Sequence, residues 1–306
     1  MNRDQLDIYL AEWDRGFNSR HTRRVQTRSV AELRARGAAV RERLSHIVRR
    51  TPQVLVRISG GGRGMGGIRA HLNYIARHGQ LPLEDQDGDR HLGRDDLTWL
   101  GYSWQHGGVP IPEVAEWREA VNIVLSMPEG TDTVALQRAA RAFAAAEFAG
   151  YQYAMALHTP DSDPSRSASP HPHVHLCVKK AGADGRRLNP RKQDLRRWRE
   201  DFAERLREHG IDAAASRRLE RFQPIKGEQQ YVRHMRARGV TLAGLGLPTM
   251  PALGWGRQAQ GMRDRYLDAA AMLAASSHDE DRTLAVGVSA LANLGHERGR
   301  IPGRQR

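Results

Sequence analysis

The stretch Tyr151-Gln152-Tyr153-Ala154-Met155-Ala156-Leu157-His158, and after a loop rich in Ser, Pro and Asp the stretch His173-Val174-His175-Leu176-Cys177-Val178-Lys179, decide the reading of the fold. Both runs have strand length and turn formers at their ends, and the second alternates strictly. Consecutive strands with no helix between them predict an antiparallel pair. That favours an α+β architecture over a doubly wound parallel sheet, where helices would separate the strands. Working outward, Val54 to Ile58 reads as a strand and Ile68 to His78 as a helix stopped by Gly79 and Pro82. Residues 80–96 are acidic and turn-rich and read as a surface loop. Val121 to Met127 is a further strand, and Thr131 or Asp132 caps a helix running to Phe148. Leu195, Trp198, Phe202 and Leu206 mark an amphipathic helix closed by Gly210. The expected fold is a central antiparallel sheet of about five strands with flanking helices. Three segments follow: a basic helical extension over 1–50, a domain over 51–225, and a mostly helical basic extension over 226–306.

Charge narrows the partners. The 306 residues carry a net charge of +13, with 44 Arg against 4 Lys. Guanidinium groups bind phosphate through paired donors, and a strongly basic chain carries the electrostatic footprint of nucleic-acid binding. The first 50 residues hold 12 Arg against 6 acids, and they read as an arm that grips a phosphate backbone or as a solvated helix pair. A single cysteine, Cys177, excludes an intrachain disulfide and a Cys-rich zinc module. No apolar run is long enough for a membrane span, and the first residues form no apolar signal segment. A cytoplasmic protein without membrane insertion is the expectation.

The second strand of the pair carries the chemistry. Alternation turns His173 and His175 to one face and Val174, Leu176 and Val178 to a core. Two imidazoles side by side make half a metal site, and His158, at the end of the neighbouring strand, could complete it. The bland alternative is a row of exposed strand histidines. Three imidazoles favour zinc, nickel, iron or copper, whereas phosphate oxygens from a substrate would suit Mg²⁺ or Mn²⁺.

Earlier in the chain, Gly62-Arg63-Gly64-Met65-Gly66-Gly67 matches a dinucleotide fingerprint, but no second βαβ unit follows it. A Walker A loop is excluded, because Ile68 stands where a lysine should follow Gly67. The glycines either let backbone approach a phosphate or form a hinge. On the next helix His71, Tyr74, Arg77 and His78 share one face. A phenol is a weak nucleophile while protonated, and nearby positive charge or a metal stabilises the phenolate. An ordinary amphipathic tyrosine is the competing reading.

Taken together, three blocks resemble the conjugative relaxases of the HUH endonuclease superfamily, in the MobA/MobL and T-DNA border-nicking branch (MOBP-like). They are the glycine loop with Arg69-Ala70-His71-Leu72-Asn73-Tyr74-Ile75-Ala76-Arg77-His78-Gly79, the segment Val124 to Asp132, and Ala156-Leu157-His158 with Pro172-His173-Val174-His175-Leu176. The similarity covers residues 50–225. It implies a metal-dependent, site- and strand-specific DNA nickase and strand transferase for conjugative mobilization. Tyr74 would attack DNA, and His158, His173 and His175 would hold a divalent metal, Mg²⁺ or Mn²⁺. Asp161 or Asp163 would match an acidic catalytic position. Fourteen residues separate His158 from His173, more than the family pattern has, so His171 is an alternative third ligand or phosphate contact. Arg63, Arg69, His71 and Arg77 are candidate DNA contacts. The implied substrate is single-stranded or locally melted transfer-origin DNA, with accessory and coupling proteins of a plasmid-type transfer system as partners.

Two other readings compete. His171-Pro172-His173-Val174-His175-Leu176 also resembles a histidine-triad nucleotide hydrolase, in which the central histidine is the nucleophile and no metal is needed. The third reading is a DNA-binding protein without catalysis.

Overall fold

The computed structural model describes residues 1–18, 29–162, 169–223, 239 and 252–299. In chain order the elements are α1 (Arg3–Asn18), α2 (Val30–Val48), β1 (Leu55–Gly60), α3 (Gly64–Ile75), β2 (Leu83–Asp85), β3 (Arg90–His91) and α4 (Gly93–His106). Then come β4 (Ala120–Ser126), α5 (Thr133–Glu147), β5 (Tyr153–His158), β6 (His173–Lys179), α6 (Lys192–Glu208), α7 (Ala252–Ala274) and α8 (Asp279–Gly299). Two compact units divide them: Pro52–Ala215, and Met1–Thr51 with Ser216–Arg306.

The unit over Pro52–Ala215 is α+β, as expected. All its strand pairings are antiparallel, and the sheet order is β1-β4-β6-β5-β2-β3. Strand alternation divides the side chains between two layers. One face presents Ile123, Leu125, Met155, Val174 and Leu176 to Phe143 of α5 and to Trp198 and Phe202 of α6. Edge-to-face contacts lock this layer, with Phe143 5.8 Å from Phe202 and Phe148 5.4 Å from Trp198. Truncating Phe202 to alanine would cost about 3–5 kcal/mol, because so close-packed a layer cannot collapse into the void. Asp132 starts α5 by accepting hydrogen bonds from the amides of Val134 and Ala135.

The opposite face is lined by small residues, Ala120, Ala154, Ala156 and Cys177, against Met65, Ile68 and Leu72 of α3 and Leu100 and Trp104 of α4. Small side chains let α3 lie close to β5 and β6. The glycines before α3 serve that packing. A Cβ on Gly61 would sit 2.2 Å from the Ala120 carbonyl oxygen, and one on Gly64 (φ +68°) 2.5 Å from that of Glu113. At Gly61, Gly62 and Gly64 the loop is pressed against its own chain, where a side chain would not fit.

The sheet has six strands rather than about five. Residues 80–96, expected as a surface loop, hold β2, β3 and the start of α4. The acidic character misled, because Glu84 and Asp85 are buried charges with partners. Glu84 takes a two-pronged ion pair from Arg141, and Asp85 accepts from the amides of Asp87 and Asp89 and from His91. Leu97, Leu100 and Trp104, at helical spacing, were the available signal for α4.

In the other unit α1, α2, α7 and α8 bury Leu6, Leu10, Val40, Leu44, Met262, Tyr266, Leu273 and Val288 together. Segments from both ends of the chain thus share one core. The arginines of 1–50 are not all available to a ligand. Arg36 and Arg43 reach buried Asp14 at 2.8 and 2.6 Å, and Arg41 reaches buried Asp7 at 3.0 Å. Among the described residues no helix is long and apolar enough to cross a membrane.

Candidate metal centre and nucleophile

Antiparallel register brings the histidines together. β5 ends and β6 begins at the same edge, so His158 pairs directly with His173, and Ala156 pairs with His175. His158 and His175 are therefore diagonal neighbours on one face. The ring centroids are 5.2 Å apart for His158 and His173, 4.6 Å for His158 and His175, and 4.9 Å for His173 and His175. One ring nitrogen from each lies within 4.8 Å of the other two. Among the described residues this is the cluster of three or more His, Cys, Asp or Glu side chains suited to a metal.

Hydrogen bonds orient two of the rings. His173 Nδ1 donates to the His171 carbonyl oxygen at 2.9 Å, which leaves Nε2 to ligate. His158, fully buried, donates from Nε2 to the Ile75 carbonyl oxygen at 2.7 Å. That carbonyl belongs to the last turn of α3, where helical geometry supplies no amide partner. The helix end thereby fixes the tautomer of His158 and leaves Nδ1 as its ligand atom.

His175 is the most telling of the three. Its Nδ1 is buried and has no hydrogen-bond partner. Burial, reinforced by the neighbouring His158, His173, His71 and Arg77, pushes its pKa down to about 3. The imidazole is therefore neutral near pH 7, the form that ligates a metal. A buried imidazole with an unpartnered nitrogen, beside two imidazoles with oriented ligand atoms, fits a divalent cation.

The nucleophile candidate is adjacent. Tyr74 lies on the last turn of α3, is 53% exposed, and its ring is 6.2 Å from that of His175. His71, one turn earlier, contacts both rings, at 6.2 Å from Tyr74 and 6.4 Å from His175. Burial lowers the His71 pKa to about 4, and its Nε2 is buried without a partner. The Arg77 guanidinium carbon stands 4.9 Å from the Tyr74 ring centre, and its Nη2 donates to His158 Nδ1 at 3.3 Å.

The other candidates lie apart from this group. His171 is exposed and its Nδ1 accepts the Glu129 amide at 3.1 Å. Asp161 is exposed in the turn after β5 and is not part of the histidine cluster, while Asp163 falls outside the described residues. Arg63 is exposed at the start of α3. Arg69 is half-buried, ion-paired with Glu113 and bonded to Gln105. Cys177, on the histidine face, is fully buried in the α3 layer, and burial pushes its thiol up to about 12.

Sequence reading missed the Ile75 carbonyl. Its signal was the helix stop at Gly79, since every helix end leaves free carbonyls. It also missed the exposed stack of Trp99 and Tyr102 on α4, 5.8 Å apart.

Residues 111–211 match the family of relaxases with a MobA/VirD2-like nuclease domain. That span contains all three clustered histidines, and Tyr74 lies before it. The T-DNA border endonuclease VirD2 of Agrobacterium fabrum is 32% identical over 191 residues, which cover 55% of this chain and 40% of that protein. The T-DNA border endonuclease VirD2 of Rhizobium radiobacter is 31% identical over 191 residues, covering 55% of this chain and 43% of that protein. The matched region thus spans about two fifths of the length of these curated relatives.

Proposed function

The chain carries a nuclease domain of the MobA/VirD2-like relaxase family, and from that premise we propose that it nicks one strand of DNA through attack by the Tyr74 hydroxyl. The observation that carries this reading is the exposed Tyr74 ring 6.2 Å from His175, itself one of three histidines with converging ligand atoms. Attack forms a bond from the phenolic oxygen to phosphorus while the bond from phosphorus to the 3′ oxygen breaks. The products are a 5′-phosphotyrosyl linkage and a free 3′-OH. One phosphodiester replaces another, so the 3′-OH can reverse the step and reseal the strand without ATP.

His158, His173 and His175 are the residues that would hold the cation, Mg²⁺, Mn²⁺ or another transition metal. When bound, that ion offsets charge on the non-bridging phosphate oxygens in the transition state. Tyr74 and Arg77 stand side by side, so the guanidinium can take a phosphate oxygen near the attacking group. Arg63, Arg69 and His71 flank the same helix and are the further candidate contacts to DNA. Asp161 or Asp163, between β5 and β6 in the sequence, is the proposed acidic catalytic group.

The proposed substrate is single-stranded or locally melted DNA from a transfer origin, nicked for conjugative mobilization. Accessory DNA-binding and coupling proteins complete the proposed set of partners, and cytoplasm is the proposed site of action. Nothing in the geometry favours the nucleotide-hydrolase reading, since His171 turns to Glu129 rather than to the other histidines.

Covalent capture tests the proposal. The protein is mixed with single-stranded oligonucleotides tiled across flanking DNA, with Mn²⁺ or with chelator, and resolved on a denaturing gel. A metal-dependent protein–DNA band with the adduct mapped to Tyr74 is the expected result. Metal-independent hydrolysis of nucleotide phosphoramidates, without an adduct, would shift the assignment to the histidine-triad reading.

A further inference from the structure

The residue that carries a further inference is Arg77, and the inference rests on the proposed reading of the three histidines as a cation site. After α3 the chain turns through φ values of 49° at Arg77, 57° at His78 and 88° at Gly79. Only the last is a glycine. A left-handed arginine is strained, and such strain persists where surrounding structure imposes it. Here the turn does two things at once. It presents the Ile75 carbonyl to His158 Nε2 at 2.7 Å. It also folds the Arg77 side chain back over the Tyr74 ring, with Nη2 3.3 Å from His158 Nδ1.

His158 is thus held at both nitrogens by one turn of chain. Nε2 gives its proton to Ile75, so the lone pair is on Nδ1, and Arg77 donates into it. The same lone pair is the one His158 would offer a metal. It cannot serve a guanidinium and a metal ion together, and two cations at that distance also repel. We propose that Arg77 competes with the divalent cation for Nδ1 of His158, whose ring the Ile75 carbonyl orients, so that cation binding requires the guanidinium to withdraw. The withdrawn side chain remains anchored beside Tyr74, where its planar fork can turn to phosphate oxygens.

The test is a calorimetric Mn²⁺ titration of the full chain at constant pH, in low and in high salt. It compares the parent with Arg77→Gly and Arg77→Asn, two replacements that accept a left-handed backbone and so preserve the turn. Unchanged melting temperatures verify that the fold is kept. Both variants are expected to bind Mn²⁺ about tenfold more tightly, the scale of one hydrogen bond to a charged group, and to keep that gain in high salt. Unchanged or weaker binding would overturn the proposal. So would a gain that high salt erases, because it would reflect only the loss of a nearby charge. If the parent takes up no Mn²⁺ that His173→Ala abolishes, the cation reading itself fails, which is a separate result.

Discussion

The two ends of β6 treat buried polar side chains in opposite ways. At one end Lys179 is almost wholly buried, and its ammonium donates to the Trp104 carbonyl at 3.0 Å, the Gly107 carbonyl at 2.8 Å and Gln152 Oε1 at 2.9 Å. Three donors meet three acceptors, and the end of α4 is tied to the sheet. At the other end His175 has a buried Nδ1 with no partner inside the fold. Burial lowers the pKa of both bases. The difference lies in satisfaction: a buried polar group with its valences met is structural, and one with an unmet valence is poised for a ligand.

The largest effect expected from breaking this contrast is on activity. Tyr74→Phe should abolish nicking while DNA affinity stays within a few-fold, as read by the capture assay and by filter binding. Retained nicking would move the nucleophile to Tyr102, Tyr151 or Tyr153. His175→Leu should likewise abolish Mn²⁺ uptake and cleavage.

On stability the order reverses. Lys179→Met leaves three oxygen acceptors buried without a donor, and it should lower unfolding stability by about 2–4 kcal/mol, seen as a fall in the urea midpoint at constant slope. In the absence of metal His175→Leu should be neutral or stabilising by up to about 1 kcal/mol, because it removes an unpaired buried nitrogen. A loss as large as that of Lys179→Met would show that the imidazole holds the sheet together, and the contrast would collapse.

The smallest effect concerns Cys177. Its thiol is pushed up from 9.0 to about 12 by burial, so the folded chain keeps the proton that the unfolded chain releases above pH 9. This contribution to stability is whole below pH 9 and declines as pH rises toward 12. At pH 8 the thiol should label at least about a hundredfold more slowly in the native protein than in urea. Fast native labelling would mean that the α3 layer opens.

Much of the site was legible because it rests on periodicities that the backbone imposes. Alternation along His173-Val174-His175-Leu176 required two histidines on one face, and a loop between two strand signals required an antiparallel neighbour that could end in His158. The helical face of His71 and Tyr74 was readable for the same reason, whereas Arg77 and His78, expected on that face, lie past the end of α3 in left-handed backbone. Glu84 and Asp85 were not readable as strand. Their burial depends on Arg141 and on the turn at 87–89, and acidic residues are buried only when partners elsewhere in the chain compensate them.

The sequence by itself determined the α+β class, the basic charge, the histidine pair with its candidate third member, and the candidate tyrosine. These follow from local period and composition, which act over a few residues. Only the tertiary structure decided that His158 stands opposite His173, that α3 lies on the histidine face rather than the other, and that Arg77 reaches back to His158. Those choices depend on sheet register, on the small residues that let α3 approach, and on a left-handed turn. Each is set by packing between segments far apart in the chain, and no single stretch of sequence contains both partners.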